Sequence, residues 1–206
     1  MLKKIFIISC IIFSTAVPAQ QESGQYIHKH LVRTDASIIS GYMFKGNIKN
    51  VYINGNLDYY LDNKISIRGD VNWMVGSSST SENSIGLKDN HSVMLGVAYH
   101  FHTNGHLDPY FILQPGLAYT SSYQWKGDVP FPETNVYKVN YKGLVSPLGS
   151  AGLGFNYYFQ RFAHLFLETR YVHGNHLSEA PKPISLQELR ITFGLGFNLF
   201  IIKQPR

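Results

Sequence analysis

Leu189-Arg190-Ile191-Thr192-Phe193-Gly194-Leu195-Gly196-Phe197-Asn198-Leu199-Phe200 separates into two kinds of residue when read alternately. Ile191, Phe193, Leu195, Phe197 and Leu199 share one direction, and Arg190, Thr192, Gly194, Gly196 and Asn198 share the other. Side chains alternate across a β-strand, so the segment predicts a strand with one apolar face and one small, polar face. Whether the apolar face meets a core or a membrane depends on the rest of the chain.

The same alternation recurs upstream. The first strand, Ser37 to Phe44, has an ambiguous facing, because Ile38, Ser40, Tyr42 and Phe44 compete with Ile39, Gly41 and Met43. A Gly46-Asn47 turn follows, and then Val51, Ile53, Leu57, Tyr59 and Leu61 oppose Tyr52, Asn54, Asn56, Asp58 and Tyr60. After an Asp62-Asn63 turn the third strand sets Ile65, Ile67, Val71, Trp73 and Val75 outward and Ser66, Arg68, Asp70, Asn72 and Met74 inward. The fourth sets Val93, Leu95, Val97, Tyr99 and Phe101 against Met94, Gly96, Ala98, His100 and His102. The fifth has Phe111, Leu113, Leu117 and Tyr119 outward, with a bulge expected at Pro115-Gly116 because proline cannot donate to the ladder. The sixth sets Ala151, Leu153, Phe155, Tyr157 and Phe159 against Ser150, Gly152, Gly154, Asn156 and Tyr158. The seventh sets Leu165, Leu167, Thr169 and Tyr171 against His164, Phe166, Glu168 and Arg170.

Three regularities predict an all-β, eight-stranded antiparallel up-and-down transmembrane β-barrel. Each strand is long enough to cross a bilayer at a tilt, which takes about 9–11 residues. Connections are tight after strands two, four and six, and longer at 76–90, 121–145 and 173–187, the asymmetry of outer-membrane barrels. Aromatics gather at strand ends as two girdles: Tyr59, Tyr99, Phe101, Tyr157, Phe159 and Phe197 at one rim, Trp73, Tyr119 and Tyr171 at the other. A secreted sandwich or lipocalin-like barrel is the soluble rival. Its water-facing surface would then carry many Gly and Ala and few Lys, the reverse of what solubility favours.

The N-terminus supports export. Lys3 and Lys4, the apolar run Ile5 to Phe13 and Val17-Pro18-Ala19 form a signal-peptide pattern over 1–19. That run is short of the roughly 20 residues of a membrane-spanning helix. Cleavage after Ala19 is favoured over a lipoprotein-type cleavage at Cys10, which comes very early. Cys10 is the single cysteine, so the mature chain is expected to have no disulfide. Loss of Lys3 and Lys4 takes the formal net charge from +5 to +3, spread along the chain, which argues against a nucleic-acid partner. Residues 20–35 read as a polar periplasmic leader, 36–200 as the barrel and 201–206 as a tail.

Gly152-Leu153-Gly154-Phe155-Asn156, its repeat Gly194-Leu195-Gly196-Phe197-Asn198, and Leu167-Glu168-Thr169-Arg170-Tyr171 carry a resemblance to the small outer-membrane β-barrel family typified by the transmembrane domain of outer membrane protein A. The resemblance spans about residues 36–200. It implies partners in outer-membrane lipids, lipopolysaccharide and the barrel-assembly machinery, which in this family reads a terminal aromatic. Phe200 is the candidate for that aromatic, although the chain continues to Arg206. No wall-binding domain follows the barrel, so wall anchoring does not transfer.

The inward charges Asp58, Arg68, Asp70, Glu168, Arg170 and Arg190 are expected to pair as a plug, since an eight-stranded barrel leaves little room beyond its own side chains. A conducting pore is the rival. An enzymatic rival is a lipid A deacylase using His176, Ser178 and Glu188, by the logic of a base-activated serine. Pro181, Pro183 and Glu179 make that stretch a loop unlike the deacylase strand. His100, His102 and His106 are a weak metal candidate, read as ordinary interfacial residues, with His28 and His30 alike. The loop around Trp125, Phe131, Tyr137 and Tyr141, with Lys126, Lys138 and Lys142, reads as a recognition surface for an extracellular ligand, with packing of these residues on one another or against lipopolysaccharide as the rival. Asn135 to Lys142 alternates, as an extension of the sixth strand would. The expectation is a monomeric, non-enzymatic protein without cofactor or metal, with a structural or surface-interaction role.

Overall fold

The computed structural model describes residues 26–79, 85–101, 105–127, 136–177, 179–180 and 182–199. The expected signal peptide, Phe200, the tail, His102, Phe131 and Ser178 lie outside these residues.

The described residues form nine strands: β1 (Val32–Met43), β2 (Ile48–Tyr60), β3 (Ile65–Ser79), β4 (Ile85–His100), β5 (Leu107–Gly127), β6 (Val136–Asn140), β7 (Leu144–Gln160), β8 (Ala163–Gly174) and β9 (Glu188–Leu199). Every pairing is antiparallel. β1 pairs with both β2 and β9, and β4 with β5, so eight strands close in the order β1-β2-β3-β4-β5-β7-β8-β9. Closure leaves the eight-stranded ring without an open edge, the condition for crossing hydrocarbon with strands. β6 stays outside the ring and pairs only with the end of β5, Tyr123 to Gly127.

The alternation sorts the side chains. Ile38, Ile53, Val71, Leu95, Leu117, Leu153 and Phe193 are all more than half exposed on the outer wall. An apolar band of this extent is far beyond the few hundred Å² that a water-facing monomer tolerates, so it is built for a lipid surround. Inside, Asn54, Arg68, Gln114, Glu168 and Arg190 are buried. The facing of β1 is resolved: Arg33, Asp35, Ser37, Ile39 and Met43 turn inward, and Ile38, Tyr42 and Phe44 outward.

The inner end of the barrel, where Val32 pairs with Leu199, is capped by the preceding segment. Ile27 and Leu31 are buried against Tyr60 and Tyr158, and the Tyr26 ring stacks on Tyr158 at 5.0 Å. The His30 amide donates to Tyr60 O at 2.9 Å, and the Tyr60 amide to Leu31 O at 3.0 Å. In the outer half of the lumen an apolar cluster of Met43, Ile48, Met74, Leu87, Met94, Leu148 and Val172 is closed over by Ile184 and Leu186 from the β8–β9 connection, beside the buried Asn50, Tyr52, Glu188 and Arg190. That connection is held by the Asn175–Ser185 bridge and by the Leu186 amide donating to Gly174 O at 3.0 Å.

Four expectations need correction. β1 begins at Val32, so residues 32–35 of the expected leader belong to the barrel, and the residues before them cap it. The loop expected at 76–90 is mostly strand, since β3 runs to Ser79 and β4 starts at Ile85. Within 121–145, β5 continues to Gly127, and the stretch read as an extension of the sixth strand is the separate β6. Beyond the lipid band both faces of a strand meet polar surroundings, so alternation fades while the ladder continues. No bulge forms at Pro115: Met94 faces Gly116, Val97 faces Leu113, and Pro115 faces Gly149 in unbroken register. The proline costs pairing with β4 at Leu95 and Gly96 instead of shifting the register. The irregularities lie between Val51 and Tyr52, Leu87 and Asp89, and Tyr158 and Gln160.

Candidate functional site

The six expected interior charges all face the lumen and are 0–5% exposed. Asp58 on β2 is the hub of the inner half. Its Oδ2 accepts from Arg33 at 2.8 Å, and its Oδ1 accepts from Arg68 at 2.8 Å. Arg68 donates onward across the lumen to Glu168 Oε2 at 3.1 Å, which also accepts from the Tyr110 hydroxyl at 2.9 Å. Glu168 Oε1 pairs with Arg170 at 2.6 Å, and Arg170 reaches Asp70 at 3.3 Å and Gln114 Oε1 at 2.6 Å. Gln114 Nε2 closes this circuit by donating to Asp70. Buried charges cost several kcal/mol each unless their hydrogen-bonding capacity is met, and here Asp58, Asp70 and Glu168 each accept from at least two donors.

Arg190 is placed differently from the rest. It lies directly opposite Arg170 in the β8–β9 register, where two cations repel, and it turns instead to Glu188 on its own strand at 2.7 Å. Its guanidinium sits 4.3 Å from the centre of the Tyr52 ring, and Tyr52 donates to Glu188 at 2.9 Å. Asn50 donates to the same carboxylate at 2.8 Å.

Sequence reasoning missed Arg33, Asp35, Asp108 and the structural role of Glu188. Arg33 and Asp35 fell in the expected leader, and Asp108 in an expected turn. The two-residue spacing of Glu188 and Arg190, which repeats that of Glu168 and Arg170, was the available signal for Glu188. Among the described lumen residues, Asp35, Asp58, Asp70, Asp108, Glu168 and Glu188 outnumber Arg33, Arg68, Arg170 and Arg190. His100 against Asp108 at 2.8 Å and His164 against Asp35 at 3.1 Å complete the inner layer.

His100 is therefore a buried lumen residue rather than the interfacial one expected. Its Nε2 lies 3.3 Å from Ser66 Oγ, so Ser66, His100 and Asp108 stand in the order of a base-activated serine. Ser66 also donates to Asp58 at 3.2 Å, and all three residues are enclosed, with at most 1% exposure. This arrangement stitches three strands together and offers an acyl substrate no approach to Oγ. His106 turns elsewhere, bonding to Tyr158 O at 2.7 Å and to the Tyr26 hydroxyl, and His30 bonds to the Tyr59 hydroxyl at 2.7 Å.

The deacylase-like set is not assembled in its described part. His176 Nδ1 bonds to Thr120 Oγ1 at 2.7 Å, while both oxygens of Glu188 are taken by Tyr52, Asn50 and Arg190. Burial lowers the pKa of His176 below that of an ordinary imidazole. At the inner turn, Asp62 accepts from the amides of Lys64 at 2.6 Å and Ile65 at 2.7 Å, which lower its pKa.

The gap between Asp70, Glu168, Arg170 and Arg190 amounts to about 10 Å³, room for about one water. Glycines make the filling possible: a Cβ on Gly154 would lie 2.6 Å from the Tyr110 ring and hydroxyl. The girdle residues Tyr59, Trp73, Tyr99, Phe101, Tyr119, Tyr157, Phe159, Tyr171 and Phe197 all stand on the outer wall, 37–59% exposed. Trp73 stacks on His91 at 3.8 Å. Beyond the outer rim, the β5–β6 hairpin places Lys138 Nζ 3.9 Å from the Tyr123 ring centre and 5.8 Å from that of Trp125. Trp125 and Tyr137 are about half exposed there.

No protein-family model matches the chain, and no curated protein sequence matches it. Solved structures do. The outer membrane protein OprG from Pseudomonas aeruginosa is 13% identical over 85% of this chain and 98% of its own, with a TM-score of 0.58. Neisserial surface protein A is 15% identical over 82% and 95%, with a TM-score of 0.53. Ail, the attachment invasion locus protein of Yersinia pestis, is 11% identical over 83% and 99%, with a TM-score of 0.50. At such identities the likeness is one of fold, and with the closed ring and apolar outer band it gives the architecture: this chain has the fold of the small eight-stranded outer-membrane β-barrels.

Proposed function

We propose that the protein resides in the outer membrane, with its inner end in the periplasm, and works by contact at the cell surface rather than by conduction or catalysis. The observation that carries this reading is the filled lumen: an ion-paired inner half, an outer half packed by an apolar cluster beside the Glu188–Arg190 pair, a cap at each end, and a gap of only about 10 Å³ between Asp70, Glu168, Arg170 and Arg190. The outer end instead projects the β5–β6 hairpin, whose exposed Trp125 and Tyr137 lie beside Lys126 and Lys138. Aromatic and cationic side chains together favour recognition of polar or anionic surfaces. Lipopolysaccharide and the lipids around the apolar band are the expected surroundings, and the barrel-assembly machinery the expected insertion partner.

The test is single-channel recording of the refolded protein in planar bilayers, beside its binding to lipopolysaccharide-containing liposomes. No ohmic steps are expected, and Trp125→Ala combined with Lys138→Glu is expected to weaken liposome binding relative to the parent protein. Reproducible conductance steps from the monomeric barrel would overturn the closed-lumen reading. Release of acyl chains from lipid A that is lost on Ser178→Ala would establish the enzymatic alternative.

A further inference from the structure

We propose that the outer mouth of the barrel is a binding site for a soluble single-chain amphipathic anion, a medium-chain fatty acid carboxylate. A groove of about 300 Å³ opens between the β1–β2 turn, the start of β4 and the β8–β9 connection. Ile48, Ile85, Pro183 and Ile184 form its walls, and Lys45, Lys182 and Ser185 its polar rim.

Three observations select the occupant. The floor is preformed, because Ile48 and Ile184 are 2% and 9% exposed members of the apolar cluster that fills the outer lumen, and Ile85 packs on that cluster. Lys45 and Lys182 are exposed at the rim, and among the described residues neither enters an ion pair, so the groove sets two ammonium groups beside apolar walls. An apolar tail with an anionic head answers both features, whereas a neutral alkane or a bare phosphate answers one. Finally, the groove's walls are continuous with the apolar cluster inside the lumen, through Ile48, Ile184 and Ile85, so the groove belongs to the barrel's mouth and not to its lipid-facing wall. A volume at the lower end of the roughly 300–1,000 Å³ typical of ligand sites suits one short chain better than the several chains of a membrane lipid. This inference goes beyond the surface-contact reading, which draws on the β5–β6 hairpin, and it stands whether or not that hairpin binds anything.

The experiment is calorimetric titration of the protein, folded in phospholipid nanodiscs, with decanoate, decanol and inorganic phosphate, with empty nanodiscs as the partition control. Saturable decanoate binding above the control is expected, with decanol weaker by about ten-fold or more, about 1.4 kcal/mol, and no heat from phosphate. Lys45→Gln with Lys182→Gln is expected to reduce decanoate affinity to that of decanol. Ile85→Asp is expected to abolish both. Heat-modifiable gel migration confirms that each variant is folded, and the exposed lysines lie outside the lumen network that holds the barrel. Equal affinity for decanoate and decanol, undiminished binding in the double lysine variant, or heats equal to those of empty nanodiscs would each overturn the proposal.

Discussion

Arg68 on β3 reaches across the lumen to Glu168 on β8, with 3.1 Å between Nη1 and Oε2. β3 and β8 stand diametrically opposite in the closed ring, so this pair ties two walls that share no backbone hydrogen bond. Arg170 to Asp70 makes a second tie between the same strands, in the reverse sense of charge. A barrel of this size has no separate core. Its ladder holds neighbouring strands, and these cross-lumen ties, with the apolar outer plug, hold the cross-section.

Removing one end of such a tie leaves a buried charge without its partner. Arg68→Ala exposes Asp58 and Glu168 to each other in a closed lumen and is expected to cost about 3–5 kcal/mol. The loss should appear as a lower midpoint of urea unfolding in lipid vesicles, read by the gel shift of the folded barrel. Arg68→Met with Glu168→Gln, which removes the charged tie from both ends, should lose less than Arg68→Ala alone. Equal losses in the two variants would show that the ion pair is incidental.

Gly154→Ala tests how the lumen is filled. The added methyl would come within 2.6 Å of Tyr110, whose hydroxyl donates to Glu168, and within 3.0 Å of Leu167 O. Overpacking of this kind costs about 1–3 kcal/mol. By contrast, a Cβ at Gly149 would meet nothing within 4 Å, so Gly149→Ala is expected to be close to neutral. Unfolding midpoints of the two variants, side by side, decide the matter.

The facing of residues was legible in the sequence wherever a strand crosses the lipid band, because only there do hydrocarbon and lumen impose opposite demands on alternate positions. Arg68 with Asp70 and Glu168 with Arg170 could be placed inward from parity alone. Their partners could not be read, since parity says nothing of which strand stands opposite, and the ties from β3 to β8 join residues about a hundred positions apart. Arg190 shows the same limit: parity places it inward, but not that Arg170 occupies the facing position on β8 and that Glu188, on its own strand, takes the pairing. Where strands rise above the band, as at Gly76 to Ser79 and Tyr123 to Gly127, the two faces no longer differ in medium and strand reads as loop. The inner cap escaped for a related reason, since Ile27 and Leu31 are isolated apolar residues in a polar stretch and carry no periodic signal.

Charge on the outer wall should be punished by depth. Phe193 is 60% exposed and pairs with Ile38 and Leu167, within the apolar band. Phe193→Arg is expected to destabilise the barrel in lipid vesicles by about 2–4 kcal/mol, and Tyr157→Arg, at the inner girdle, by about 1 kcal/mol or less. If the two substitutions cost the same, the outer wall does not lie across a bilayer.

The β8–β9 connection carries a pH dependence whose sign follows from His176. Burial lowers its pKa, so the docked connection favours the neutral ring, while the undocked one has the ordinary value of about 6.5. The undocked state therefore binds more protons, and docking is strongest above about pH 6.5 and weakens as the pH falls through that value. Thr120, which bonds to the ring, does not titrate, and His173 beside Tyr171 is exposed. The Leu186 amide, bonded to Gly174 O, reports the docked state directly. Its hydrogen-exchange protection, corrected for intrinsic rate, is expected to be lower at pH 5.5 than at pH 7.5 in the parent protein and to lose that difference in His176→Gln. Protection that does not change with pH in the parent, or that changes equally in His176→Gln, would assign the latch to the apolar contacts of Ile184 and Leu186 alone.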